Sequence, residues 1–277
     1  MRRIGLVLKR AEEKAIDLGA QISRFLRDAG VDVLLEPSCA DLAKRWNART
    51  SDQISDEADM LVVLGGDGTI LRAAMLLNSK STPVLGINLG RVGFMTETSP
   101  EEAIPELKSA LAGTARLVNR MLLQVSLPDG RTVRCLNDLV IHWGGIARII
   151  DLGIRWGRTQ ELDLRADGLI VATPVGSSAY SYAAQGPLVH PAIEAILLTP
   201  ICPYSGLKRP LLVPPDVETE LIMKKGDQLL LTLDGHTTVR VYEGDIVRVV
   251  RSPLPFVMVK SNARNYVHVL KEKLGLV

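Results

Sequence analysis

Cysteine is scarce in this chain. Cys39, Cys135 and Cys202 are the only three in 277 residues, odd in number and widely spaced. That pattern excludes a disulfide framework and zinc-ligand spacing, and it fits reduced thiols in a cytoplasmic protein. Aromatics are few as well: three Phe, three Trp and five Tyr leave little for stacking nucleic-acid bases. Net charge is only +2, and the Lys and Arg residues are scattered, so no basic footprint points to nucleic acid. No stretch approaches the ~20 apolar residues of a membrane span. The first apolar run, Ile4 to Leu8, stops at Lys9-Arg10, too short for a signal peptide. The expected partners are therefore neither nucleic acid nor membrane. The four histidines share no ligand spacing, so His142, His190 and His268 read as packing or surface residues and no metal site is expected.

What the chain has is apolar periodicity punctuated by glycine. Ile4–Leu8 reads as a buried strand, Glu12–Ala29 as an amphipathic helix ended by Gly30, and Val31–Leu35 as a second strand. A short helix over Ala40–Trp46 follows, then a strand at Leu61–Leu64, a helix beyond Thr69, a strand at Pro83–Asn88 and a helix over Pro100–Leu111. Strands alternating with helices predict a parallel, doubly wound sheet, whose ligands sit beyond the carboxyl ends of the strands. Near Thr114 the period changes. A hairpin over Leu122–Leu136 and strands at 140–143, 152–156, 162–164, 211–213, 220–223, 229–233, 238–241 and 246–250 follow, divided by turns such as Lys225-Gly226-Asp227 and Asp234-Gly235. The expected fold class is an α/β N-terminal domain with a mostly parallel sheet plus a mostly antiparallel all-β C-terminal domain. The boundaries fall at 1–115, 116–255 and a tail, 256–277, returning helically to the first domain.

The stretch with most chemistry is Gly65-Gly66-Asp67-Gly68-Thr69. A strand, a glycine turn and a helix start aim unpaired backbone N–H groups at one point, which suits phosphate. Thr69 is a plausible N-cap. Asp67 would repel phosphate unless it holds a metal ion or accepts a proton from an attacking hydroxyl. Arg72, a cation in the first helical turn, opposes the macrodipole and invites a bound anion. An ordinary βα turn with a capping Asp fits these residues equally well. In the second half, Asn137-Asp138 and the segment from Arg165 to Tyr182 interrupt the strands. Each reads either as a turn or capped helix, or as a site that lets a ligand approach the backbone.

Taken in order, Gly65–Thr69, Asn137-Asp138, Asp167-Gly168, Thr173-Pro174-Val175-Gly176-Ser177-Ser178-Ala179-Tyr180, Gly186-Pro187, Thr199-Pro200-Ile201-Cys202-Pro203 and Asp234-Gly235 resemble the NAD kinase family. The resemblance implies phosphorylation of the 2′-hydroxyl on the adenosine ribose of NAD, with ATP and Mg²⁺ or another divalent cation, giving NADP. It implies Asp67 as general base and Gly65, Gly66, Gly68 and Thr69 against the donor phosphates. It implies an NAD site made by Gly68, Arg72, Phe94, Asn137, Asp138, Arg148, Arg165, Asp167, Ser178, Ala179, Tyr180, Ala183 and His236. Phe94 would stack near adenine, Asp138 would hold ribose hydroxyls, and Arg72 and Arg148 would face phosphates. The family also implies NAD between two domains and a homodimer or homotetramer. Asp138 stands where most relatives carry Glu, Val175 where Thr or Ser is common, Tyr204 where His is common and His236 where Gln is frequent. Two alternatives share parts of the pattern: a lipid or other small-molecule kinase with the glycine-aspartate core, and a catalytically silent NAD-binding regulator.

Overall fold

The computed structural model describes residues 1–77, 80–90, 93–145, 148–158, 161–225, 229–261 and 266–274. Arg91 and Val92, and Gly226-Asp227 of the expected turn, lie outside them. The chain divides into two compact units, Met1–Asn119 with Phe256–Val277, and Arg120–Pro255.

The first unit contains, in chain order, β1 (Arg3–Leu8), α1 (Glu13–Asp28), β2 (Asp32–Leu35), α2 (Ala40–Trp46), β3 (Arg49–Thr50), α3 (Ile54–Glu57), β4 (Met60–Gly65), α4 (Asp67–Leu76), β5 (Val84–Asn88), α5 (Ala103–Leu111) and β6 (Leu117–Arg120). The strand Phe256–Val259 and the helix Tyr266–Leu274 complete it. The sheet runs β3–β2–β1–β4–β5, then the strand Phe256–Val259, then β6. The pairs from β3 to Phe256–Val259 are parallel. Ile4–Leu8 of β1 and all of β4 are apolar and buried because helices cover parallel sheets on both faces. α1 supplies Ala15, Leu18, Ile22 and Leu26 to that core at helical spacing. The chain winds outward from β1 to β3, then restarts at β4 on the other side of β1. The carboxyl ends of β1 and β4 thus flank the switch point at which such sheets bind ligands. There Lys9 N donates to Leu64 O at 2.8 Å. β3, α3, β6 and the strand Phe256–Val259 are absent from the periodicity reading. α5 starts three residues later than expected, where the Ser99 N–H donates to a Glu102 carboxylate oxygen at 2.7 Å ahead of the first turn.

The second unit is a sandwich of two antiparallel sheets. Its elements are β7 (Leu123–Ser126), β8 (Thr132–Cys135), β9 (Asp138–Trp143), β10 (Ile150–Trp156), β11 (Leu162–Ala166), β12 (Gly168–Ala172), a one-turn α6 (Tyr180–Ala183), β13 (Ile196–Ile201), β14 (Ser205–Gly206), β15 (Leu211–Val213), β16 (Thr219–Lys225), β17 (Leu229–Leu233), β18 (Thr237–Val241) and β19 (Ile246–Arg251). One sheet runs β14–β11–β10–β16–β19–β7–β8, the other β15–β13–β12–β9–β17–β18. Alternate residues of both, such as Leu139 and Ile141, Leu152 and Ile154, Leu221 and Met223, form a shared core. The intervening residues of the second sheet, Asp138, Val140 and His142, therefore point to its other face. Register puts Val140 beside Thr232 of β17 and His142 beside Gly168 of β12.

Candidate functional site

Two groups of expected site residues lie in the two units. In the first unit, Asp67 opens α4 and Gly66, not Thr69, is the N-cap. Thr69 is buried inside the first turn, so its expected capping role is corrected: the helix begins three residues earlier. The Asp67 carboxylate reaches across to the segment after β5. Oδ2 accepts from Phe94 N at 2.9 Å, and Oδ1 accepts from Met95 N at 3.0 Å, Thr96 N at 3.2 Å and Thr96 Oγ1 at 3.3 Å. Three backbone donors converge on one carboxylate. Gly93 is a glycine for this reason: a Cβ there would lie 2.7 Å from Asp67 Cγ and nearer still to Oδ1. At Gly66 and Gly68 an added Cβ would meet nothing within 4 Å, so the loop's outer surface is open. Phe94 meets Asp67 through its backbone.

Arg72 has an anion already. Its Nη1 bonds both oxygens of Glu36 at 2.5 and 2.6 Å, and Nη2 donates to Leu8 O at 2.6 Å. The two side chains are 18% and 11% exposed. The residue after β2 thus supplies the negative charge that the helix start asked for, where the sequence reading expected a bound phosphate. Arg72 and Glu36 also line a cavity of about 350 Å³ with Lys9, Arg10, Ser38 and Asp41.

In the second unit a cavity of about 680 Å³ opens on the outer face of the second sheet. Asn137, Asp138, Val140, His142, Asp167, Ala179, Tyr180, Ile201, Thr232, Asp234 and Gly235 line it. Of the residues expected here, Asn137, Asp138, Asp167, Ala179 and Tyr180 come together. Ser178 bonds Val175 O at 3.1 Å and, like Ala183 in α6, does not line the cavity. Arg148 lies over the Trp143 ring, 5.4 Å from its centroid. Arg165 pairs with Asp151 at 2.7 Å and sits 5.6 Å from the Tyr204 centroid. His236 is not in the lining either; its Nδ1 lies 2.6 Å from Asp234 O. His142, expected as a packing or surface residue, lines the cavity, as do Val140 and Thr232. The signal was present: Asp138, Val140 and His142 alternate along one strand.

The Thr173–Ser178 motif holds the cavity floor. Thr173 N donates to Asn137 O at 2.8 Å, Thr173 Oγ1 donates to Leu136 O at 2.6 Å, and Gly176 N donates to Thr173 Oγ1 at 3.0 Å. A Cβ on Gly176 would come within 2.7 Å of Asn137 Cα. Ser177 Oγ donates to Pro174 O at 2.6 Å and accepts from Val189 N at 3.0 Å. Asn137 is among the lining residues, and its Oδ1 is buried with no hydrogen-bond partner. Beside it, Asp138 is only 6% exposed. Burial, then the neighbouring Asp234 charge, pushes its carboxyl up to about 7. Among the described residues no group of three His, Cys, Asp or Glu forms a metal cage. Nor is any described helix long and apolar enough to cross a membrane.

The comparisons agree with both halves. Residues 4–115 match the ATP-NAD kinase N-terminal domain and residues 136–261 the ATP-NAD kinase C-terminal domain. The chain is 37% identical to the NAD kinase of Geotalea daltonii, over 99% of this chain and 98% of that protein. It is 38% identical to the NAD kinase of Geobacter sulfurreducens, again over 99% and 98%. Among solved structures, yeast NADH kinase complexed with NADH superposes with a TM-score of 0.91 at 26% identity, covering 100% of this chain and 88% of that one. An NAD kinase from Archaeoglobus fulgidus in complex with ATP gives a TM-score of 0.76 at 29% identity, covering 99% and 96%. With both family domains matched in order and full-length relatives above 30% identity, this chain belongs to the ATP-NAD kinase family.

Proposed function

We propose that this protein transfers the γ-phosphoryl group of ATP to the 2′-hydroxyl on the adenosine ribose of NAD, giving NADP and ADP. The observation that carries the reading is the convergence of Asn137, Asp138, Asp167, Ala179 and Tyr180 on one cavity of about 680 Å³. Two adjacent ribose hydroxyls are donors of the kind the Asp138 carboxylate can accept. Tyr180 and Ile201 offer apolar surface for a base, and Ala179, with no side chain beyond Cβ, lets the ligand near the backbone.

Phosphoryl transfer calls for positioning and charge neutralisation more than covalent catalysis. Gly66 and Gly68 at the start of α4 present open backbone to the donor phosphates, with Gly65 and Thr69 behind them and the Thr69 N–H spent on Gly66 O at 2.9 Å. Asp67 accepts the proton. Its Oδ1 takes three hydrogen bonds but Oδ2 only that of Phe94, so Oδ2 keeps a lone pair for the substrate hydroxyl. Carboxylates are too weak as bases to ionise a ribose hydroxyl beforehand. The proton moves to Asp67 as the new P–O bond forms and the bond from the γ-phosphorus to the bridging oxygen breaks. The residues fit a divalent cation carried mainly by phosphates, the usual habit of Mg²⁺, with Asp67 the one acid in the loop. When bound, that cation neutralises phosphate charge. Asp167 lines the same cavity. Arg148, over the Trp143 ring, and Arg165, paired with Asp151, lie outside the cavity lining, and Arg72 anchors α4 through Glu36. A homodimer or homotetramer and a cytoplasmic location complete the proposal.

The test is incubation with ATP, Mg²⁺ and NAD, read by an NADP-specific coupled enzyme. NADH as acceptor and polyphosphate as donor are run in parallel. Folded protein that yields no NADP above background from any pair refutes the proposal.

A further inference from the structure

The Asp234-Gly235 pair closes the β17–β18 hairpin, and a turn needs no more of an Asp than local geometry. Asp234 does something else. Its side chain leaves its own turn and meets the connection between β8 and β9. Oδ2 accepts from Leu136 N at 2.8 Å, and Oδ1 accepts from Asn137 N at 2.7 Å and Asp138 N at 3.2 Å. In return, Asp234 N donates to Asp138 O at 2.9 Å. The residue is 5% exposed and takes φ +46°, a left-handed conformation that keeps the side chain turned toward its partners. Its own main-chain carbonyl lies 2.6 Å from His236 Nδ1. This clamp is the second in the molecule in which one Asp gathers three consecutive backbone N–H groups, the first being Asp67. In each case the acid precedes a glycine.

We infer that Asp234 is a positioning residue for the acceptor substrate: by gathering the Leu136, Asn137 and Asp138 N–H groups, it sets the aim of Asp138 and places a second carboxylate beside it. The inference rests on the proposed NAD site and deepens it. Asp138 has one methylene fewer than Glu, so its carboxylate stays near the backbone that Asp234 holds. The ionisable groups facing it are Asp234 from the β17–β18 turn, with His236 beyond; Cys135 from β8; His142 on its own strand; Asp167 before β12; and Tyr180 from α6. Asp234 is the one whose charge acts on Asp138. An ionised Asp138 accepts from two ribose hydroxyls, whereas the neutral acid turns one acceptor into a donor. NAD affinity is therefore lost as pH falls through the Asp138 titration, near 7.

The experiment compares wild type with Asp234→Asn in steady-state kinetics over pH 5 to 9. In the variant the KM for NAD rises about tenfold, the effect of one lost charge-assisted bond, while kcat changes less. The acid limb of kcat/KM for NAD moves to lower pH because the repelling charge is gone. A KM within twofold of wild type together with an unmoved limb overturns the inference, since a purely structural clamp would alter stability only. Independently of activity, ¹³C-carboxyl NMR of the ligand-free wild type, with Asp138 assigned through Asp138→Asn, follows the titration directly. A resonance titrating near the ordinary 3.8 overturns the inference even where Asp234→Asn does not fold. Absence of NADP formation by wild type would instead strike the proposed function and leave this titration standing.

Discussion

Gly93→Ala tests whether Asp67 works from a position that the β5–α5 segment imposes. The added Cβ would lie 2.7 Å from Asp67 Cγ and 2.4 Å or less from the nearest oxygens, where contacts under 3.0 Å essentially never occur. Carboxylate or loop must yield by roughly 1 Å, a misplacement that can cost about 10²-fold in rate. The same shift loosens the three N–H bonds from Phe94, Met95 and Thr96 and lowers stability by about 1–3 kcal/mol. Asp67→Asn is the companion. It keeps the volume but cannot take a proton, and should lower kcat by about 10²–10⁴-fold. Its NH₂ would also face a backbone N–H, adding a similar stability loss. NADP formation measured beside urea unfolding separates the two effects. A folded Gly93→Ala protein with near-normal turnover would show that the position of Asp67 does not matter. A folded Asp67→Asn protein with near-normal turnover would remove Asp67 from the base role.

The Asp138 carboxyl also links stability to pH. Because its native value is raised from 3.8 to about 7, the folded state holds a proton that the unfolded chain gives up. Stability is full below pH 4 and falls as pH rises toward 7, by about 4 kcal/mol from this group. Asp138→Asn should flatten the slope; urea midpoints against pH that keep the wild-type slope would contradict it. Arg72→Met should destabilise by about 3 kcal/mol, because Glu36 is left buried without its cation. A change below about 0.5 kcal/mol, the range of ordinary surface substitutions, would mean that the pair does not anchor α4. Thr173→Val removes the hydroxyl bridging Leu136 O and Gly176 N, and should cost about 1–3 kcal/mol. It should also raise the KM for NAD, since that bridge holds the Asn137 turn; an unchanged KM would detach the motif from the site.

Local pattern was enough for some elements. α1 and β4 were legible because one has an apolar stripe at helical spacing and the other an unbroken apolar run. Phe256–Val259 was not, because a four-residue strand carries no period that distinguishes it from a loop, and its pairing with β5 spans most of the chain. The Glu36 partner of Arg72 was hidden for a related reason. A helix start asks for negative charge, but Glu36 lies 36 residues away, and only the sheet brings the end of β2 beside α4. His142 went unassigned because the choice between packing and lining depends on which face of β9 another sheet covers.

Sequence by itself determined the two fold classes and the family, since periodicity is a local property and the ordered motifs are specific. It also singled out Asp67, Asn137, Asp138, Asp167, Ala179 and Tyr180. Tertiary structure decided what the acids do. The hydrogen bonds that Asp67 accepts from residues 27–29 positions away, and Asp234 from residues 96–98 away, form only once loops from separate strands are brought together. Burial beside a second carboxylate, a matter of packing and not of composition, is what moves Asp138 into the neutral pH range.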